Sequence, residues 1–313
     1  MSNPYSTDLD RNPANYQPLT PISFLERAAD VYPQHTAIVH GSLERNYHEF
    51  YSRSLRLASA LSRKGIIRGD TVSVILSNTP AMLESHYGVP MCGAVLHSIN
   101  TRLDPETIAY QLDHSNSKAL IVDREFLETA KSSLKIAQVS PILIDYNDSE
   151  HQVSESLPNA TEYESFLLEG DENFQWLMPE DEWDAISLNY TSGTTGNPKG
   201  VVSHHRGAYL LAQGNAMIAS IKKHSVYLWT LPMFHCNGWC FPWTMSAIIG
   251  THVCLRQVRA APIWSSLKKN KVTHLCGAPI VMSTILSAND SEKKLLENTV
   301  AVSYTHLTLP TKA

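Results

Sequence analysis

The chain has 313 residues, 43% of them apolar, enough to bury at least one large core, which excludes a disordered tail. Its net charge of -5, with acidic and basic residues interspersed, argues against nucleic acid or an anionic membrane as a partner. Five cysteines, an odd number, read as reduced thiols of an intracellular protein, and no apolar run approaches the roughly 18 residues of a membrane span.

The first twenty residues carry neither an apolar signal core nor an Arg-rich amphipathic pattern. Ser23 and Glu26 have the spacing of a capping box ahead of Phe24, Leu25, Ala28, Ala29 and Tyr32, which share one helical face. Residues 36–39 predict a strand that turns at Gly41. Helical spacing returns over 50–61 and stops at Lys64 and Gly65. Residues 71–76 predict a buried strand, 80–88 a helix, 94–99 an extended segment and 105–114 a helix. Strands at 118–122 and 141–144 flank a helix at 125–134. This alternation predicts βαβ units and an α/β fold, with ligands beyond the carboxyl ends of the strands. The polar stretch 145–182 breaks the periodicity and is expected to be a surface excursion or a link to a second half. No internal repeat or low-complexity tract is visible.

Residues 186–190 read as a strand running into Thr191-Ser192-Gly193-Thr194-Thr195-Gly196-Asn197-Pro198-Lys199-Gly200. Glycines let the backbone bend and bring amide N–H groups close to a ligand, and successive amides form a concave anion site. The hydroxyls add donors and Lys199 a point charge, so the segment suits a polyphosphate. Counting excludes the Walker loop, because the residues five after Gly193 and Gly196 are Pro198 and Val201. The dinucleotide pattern Gly-x-Gly-x-x-Gly is also absent.

From Tyr190 to Gly200 the sequence is similar, position for position, to the signature of the AMP-forming acyl- and aryl-CoA synthetases, luciferases and peptide-synthetase adenylation domains. Residues 18–29, 88–94 and 100–104 resemble the plant acyl-activating enzymes, described as butyrate- or benzoate-CoA ligases and often peroxisomal. The resemblance covers roughly residues 16–302. It implies a tail over 1–17, then an incomplete large N-terminal adenylation domain over 18–302.

In that family a carboxylate attacks the α-phosphorus of Mg·ATP, pyrophosphate leaves, and a thiol, usually coenzyme A, takes the acyl group. The resemblance therefore implies ATP, Mg²⁺, CoA and a small-molecule fatty or aromatic carboxylic acid. It places Thr191, Ser192, Gly193, Thr194, Thr195 and Lys199 around the β- and γ-phosphates, with Gly196 and Gly200 shaping the backbone. Such chemistry is mostly positioning and charge neutralisation.

Residues 231–239 look like the family's aromatic motif. The resemblance makes His235 a donor to the carboxylate oxygen or a gate to the acyl tunnel, with Phe234 and Trp239 as walls; core packing is the competing role for Trp239. Residues 273–279 resemble the strand and turn lining the acyl pocket, where Gly277 leaves room for substrate or simply serves the turn. A zinc site is disfavoured, since only Cys236 and Cys240 have knuckle spacing and the remaining pairs are His-x-Cys among apolar neighbours. His204 and His205 begin the helix after the loop, with solvent or capping roles.

The family's downstream Gly-Gly turn, Tyr-Gly-x-Thr-Glu segment, ribose-binding Asp and C-terminal catalytic-lysine domain are not among the 313 residues. Residues 303–313 match nothing in the family and read as a foreign tail, a sequencing or assembly artefact, with an alternative splice end as the competing reading. The chain as written is expected to be inactive alone and marginally stable, with sheet edges left open. The alternatives are a non-catalytic nucleotide-binding protein and adenylation for a carrier-protein thiol. An intracellular location, peroxisome or cytoplasm, is expected, with any Ser-Lys-Leu-type address at a C-terminus beyond this one.

Overall fold

The structure, a computed structural model, describes residues 3, 5, 7–191 and 197–304. In chain order, helix α1 (Ile22–Val31) precedes strands β1 (Thr36–His40) and β2 (Leu43–Asn46) and the long helix α2 (Tyr47–Arg63). Then come β3 (Thr71–Ile75), α3 (Pro80–Met91), β4 (Val95–Ser98), α4 (Pro105–His114), β5 (Ser117–Asp123), α5 (Leu127–Ile136) and β6 (Ile142–Tyr146). Next are β7 (Thr161–Glu162), α6 (Tyr163–Leu168), β8 (Ala185–Thr191), β9 (Lys199–His204) and α7 (His205–Ile218). The last third holds β10 (Val226–Leu228), α8 (Cys236–Trp239), α9 (Phe241–Ala247), β11 (Thr251–Val253), α10 (Ala260–Lys269), β12 (His274–Gly277), α11 (Pro279–Leu286) and β13 (Ala301–Tyr304).

The strands form two sheets, ordered β13-β12-β10-β11-β1-β2 and β7-β6-β5-β3-β4-β8-β9. All pairings are parallel except the two edge pairs, β1 with β2 and β8 with β9. The α/β expectation holds, with these antiparallel edges added. The main core fills the space between the sheets, joining Ile38, Tyr227 and Trp229 to Val72, Leu96 and Ile121 through side chains of α1, α2, α3, α7 and α9. Helices α4 and α5 cover the outer face of one sheet, while α10 and α11 cover the other. The result is five layers, helix–sheet–helix–sheet–helix.

Helix α3 is buried on every side. A buried helix must satisfy its polar groups internally, and Glu84 does so with Arg45 (2.8 Å), Arg53 (2.6 Å) and the Tyr163 hydroxyl (2.8 Å). Burial alone would raise the Glu84 pKa, but the two guanidiniums outweigh it and hold the carboxyl below its ordinary value.

Two local expectations are corrected. Ser23 does not cap α1: it sits inside the helix and donates to Thr20 O (2.8 Å), while Glu26 accepts from Tyr51 (3.2 Å) and Trp176 (3.0 Å). The capping box belongs to α2, where Asn46 Oδ1 accepts from Glu49 N and Glu49 Oε2 from Asn46 N, both at 2.8 Å. Nor is the stretch 145–182 wholly a surface excursion. Strand β7 extends a sheet edge, and α6 buries Tyr163, Phe166 and Leu167 against the main core.

Candidate functional site

The expected phosphate loop is the tip of the β8–β9 hairpin. Thr191 pairs with Lys199 and Tyr190 with Gly200, so the loop hangs from two adjacent antiparallel strands. Ser192, Gly193, Thr194, Thr195 and Gly196 lie outside the described residues. Thr191 and Lys199 are exposed, and Lys199 has no ion-pair or hydrogen-bond partner among the described residues. A cation left unpaired at the base of such a loop is available to an anion.

Side chains alternate along β8, and its odd-numbered residues face the segment after β10. Asn237 Nδ2 donates to Ser187 Oγ (2.7 Å), and Asn189 Nδ2 donates to Phe234 O (3.2 Å). Thr191 continues that face. The hairpin and the His235 motif are thereby joined, although 44 residues separate Thr191 from His235 in the chain.

Asn78, just after β3, joins the two sheets at their carboxyl ends. Its Nδ2 donates to Trp229 O (2.9 Å) and Leu231 O (3.0 Å), and its Oδ1 accepts from Met233 N (2.8 Å). Thr230 Oγ1 donates to Cys276 O (2.6 Å), tying the same segment to β12 beside Gly277. The hairpin, His235 and Gly277 are thus linked at the carboxyl ends of β3, β8, β10 and β12, where ligands sit in such folds.

The His235 imidazole is exposed, and among the described residues its one ring contact is Cys236 Sγ at 3.9 Å. Burial raises the pKa of the Cys236 thiol, so it is not a thiolate nucleophile beside that ring. From Cys236 to Cys240 five consecutive residues are left-handed, with φ of 49°, 52°, 54°, 57° and 62°. Such a turn costs about 1–2 kcal/mol at each non-glycine residue. It is held by the Asn237–Ser187 bond and by Asn215 Nδ2 donating to Trp239 O (2.7 Å). Gly238 is required twice over, because its φ is positive and an added Cβ would lie 2.6 Å from Trp229 Cζ3.

Trp239 is half-buried and packs against the main core, combining both expected roles in part. Gly277 is buried, and a Cβ there would meet Val281 Cβ at 2.9 Å and Met282 Cε at 3.0 Å. Its bareness therefore admits helix α11 as well as any ligand. His204 caps α7 through Gly207 N (2.9 Å), and His205 is buried against Thr20 Oγ1 (2.9 Å).

Among the described residues no group of three or more His, Cys, Asp or Glu is gathered to hold a metal. A cavity of about 430 Å³ beside His40, Arg256 and Lys269 contains none of the hairpin, His235 or Gly277 residues. The chemistry, rather than cavity size, selects the hairpin. Asn78, Ser187, Asn189, Asn215 and Asn237, which hold these segments together, are isolated polar residues with no motif of their own in the sequence.

Fold and site define a two-sheet α/β domain in which the hairpin, the His235 segment and Gly277 are gathered where the strand ends of both sheets meet. The profile of the AMP-binding enzyme family matches residues 25–308, and the chain belongs to that family. It is 48% identical over 307 residues to the peroxisomal acetate/butyrate–CoA ligase of Arabidopsis thaliana, covering 94% of this chain and 54% of that protein. It is also 48% identical to an acetate–CoA ligase of Humulus lupulus, covering 91% and 52% respectively. The chain therefore spans about half the length of these curated relatives. Among solved structures, an anthranilate CoA ligase in complex with anthranoyl-AMP superposes with a TM-score of 0.79 at 21% identity, covering 90% of this chain and 54% of that one. The N-terminal domain of FACL13 from Mycobacterium tuberculosis gives 0.75 at 24%, covering 87% and 66%. At these identities the likeness concerns the fold.

Proposed function

We propose that this chain is the nucleotide-binding part of an AMP-forming acid–thiol ligase, which activates a fatty or aromatic carboxylic acid as its acyl-adenylate and passes it to CoA. The observation that carries the reading is the pairing of Lys199 with Thr191 at the base of the loop, the Lys199 side chain having no partner among the described residues, with the exposed His235 tied to the same strand through Asn189. Thr191, Ser192, Gly193, Thr194, Thr195 and Lys199 take the β- and γ-phosphates of ATP; Mg²⁺, when bound, neutralises phosphate charge. His235 donates to the substrate carboxylate or gates its entry. Trp239 forms a wall, and Gly277 gives the acid access along backbone rather than side chain.

The relatives' names support short acyl or aromatic acids as the substrate class, and the peroxisomal label of the Arabidopsis ligase supports the peroxisome over the cytoplasm as the location. Calorimetric titration with ATP tests the loop: Lys199→Ala weakens binding about tenfold or more, the loss of a charge-assisted contact. Equal affinity in the two proteins refutes the assignment.

A further inference from the structure

The second face of β8 has no role in the reading above. Tyr190 points away from the His235 segment, toward α4 and β4. Its hydroxyl lies 2.7 Å from His114 Nδ1, and its ring centroid lies 5.0 Å from that of His97. His114 stacks on Tyr110, with centroids 5.4 Å apart at 24°. The Tyr110 hydroxyl in turn donates to Pro198 O at 3.5 Å. Tyr190 and Pro198 stand on opposite sides of the loop, so one turn of α4 touches both of its limbs.

This bracket has a rigid base. His97 is fully buried, its Nδ1 is 2.8 Å from Ser73 Oγ, and Ser73 is 2.5 Å from Ser117 Oγ. Ser115 Oγ continues the chain at 2.7 Å. Burial takes the His97 pKa down to about 3, so the ring under Tyr190 is uncharged at neutral pH and packs as an apolar plate. Helix α4 is fixed at its start by Asp104 Oδ1 accepting from Thr107 N (2.8 Å) and packs its Ile108 and Leu112 into the outer core. Groups that must meet a phosphate within a few tenths of an ångström depend on such supporting contacts.

We propose that Tyr190, His114 and Tyr110 are positioning residues that set the spacing of the two limbs of the phosphate loop, and so its grip on the β- and γ-phosphates of a nucleoside triphosphate. The inference rests on the reading of the loop given under the proposed function. A purely structural role would alter affinity for any adenine nucleotide alike, whereas a role at the loop tip discriminates by phosphate number.

The test is titration of the full 313-residue chain with ATP and, separately, with AMP. Tyr190→Phe removes only the hydroxyl and leaves the ring on His97; His114→Ala removes an exposed side chain. Each variant is expected to weaken ATP binding about fivefold, equivalent to ~1 kcal/mol, with AMP affinity changed less than about twofold and an unchanged melting temperature. Unchanged ATP affinity in folded Tyr190→Phe overturns the proposal, as does equal weakening of ATP and AMP. Should His114→Ala fail to fold, Tyr190→Phe decides alone. Failure of the unaltered chain to bind ATP removes the loop reading and this inference together, whereas ATP binding that depends on Lys199 but not on Tyr190 or His114 removes the bracket only.

Discussion

Replacing Asn78 by Ala tests whether the two sheets are clasped where the site lies. The side chain is 8% exposed and satisfies two carbonyls and one amide of the segment 229–233. Its removal orphans all three in a buried position, at about 1–3 kcal/mol each, of which partial hydration recovers some. A loss of about 3 kcal/mol is expected, a large part of the 5–15 kcal/mol that typically holds a domain together. In a chain of 313 residues, with an unfolding entropy of about 2.1 cal/mol/K per residue, that corresponds to a melting temperature lower by roughly 5 °C. Urea unfolding followed by tryptophan fluorescence reads it directly, since Trp229 and Trp243 are fully buried beside this segment and in the main core. The neighbouring Ser77→Ala, which gives up one bond of 3.3 Å to Glu125 at the surface, is the control and costs under about 0.5 kcal/mol. A loss below about 1 kcal/mol for Asn78→Ala, at an unchanged denaturant slope, refutes the clasp.

Acid should unfold the chain early. Burial lowers the pKa of His86 and His205 to about 4, and of His97 and His252 to about 3, from the ordinary 6.5. The fold thus keeps these rings neutral while the unfolded chain takes up protons below about pH 6.5. Stability is full above that value and falls as pH drops toward 4, by at most about 1.4 kcal/mol per unit per histidine. A melting temperature that stays flat between pH 7 and 5 contradicts it. Of the five cysteines only Cys236 is exposed, and burial raises Cys92 and Cys240 to about 12, so a thiol reagent should label one thiol quickly in the native protein and five in denaturant. Rapid labelling of two or more native thiols counts against the packing. Gly277→Ala should cost about 1–3 kcal/mol through overpacking against Val281 and Met282, and a neutral result in thermal unfolding would show that α11 yields freely.

Much of the fold was legible because its signals are local. Helix α4 has the expected bounds: Pro105 opens it, Asp104 caps it, and Ile108 and Leu112 repeat at helical spacing. The strands at 71–76 and 118–122 were legible as apolar, β-branched runs with helices on either side. Helix α6 was not, since six residues with three buried apolar side chains are too few to show a period within a polar stretch. Ser23 and Glu26 had the spacing of a cap, yet α1 begins at Ile22, and only tertiary contacts with Tyr51 and Trp176 decide what Glu26 does.

The same division runs through the site. An anion loop is assembled from amides and hydroxyls adjacent in the chain, so its composition and order alone announce it. The groups that aim such a loop are distant in sequence. Asn189 meets Phe234 across 45 residues, His114 meets Tyr190 across 76, and Asn78 meets Leu231 across 153. None of these residues is unusual for its place in the sequence: Asn78 follows a strand, where polar turn residues are common, and His114 ends a helix, where a basic residue suits the dipole. Their role exists only in the folded chain. Chemistry carried by contiguous donors can therefore be read before the fold is known, whereas the contacts that hold the two limbs of the hairpin cannot, and it is on this scaffold that substitutions should separate ATP from AMP.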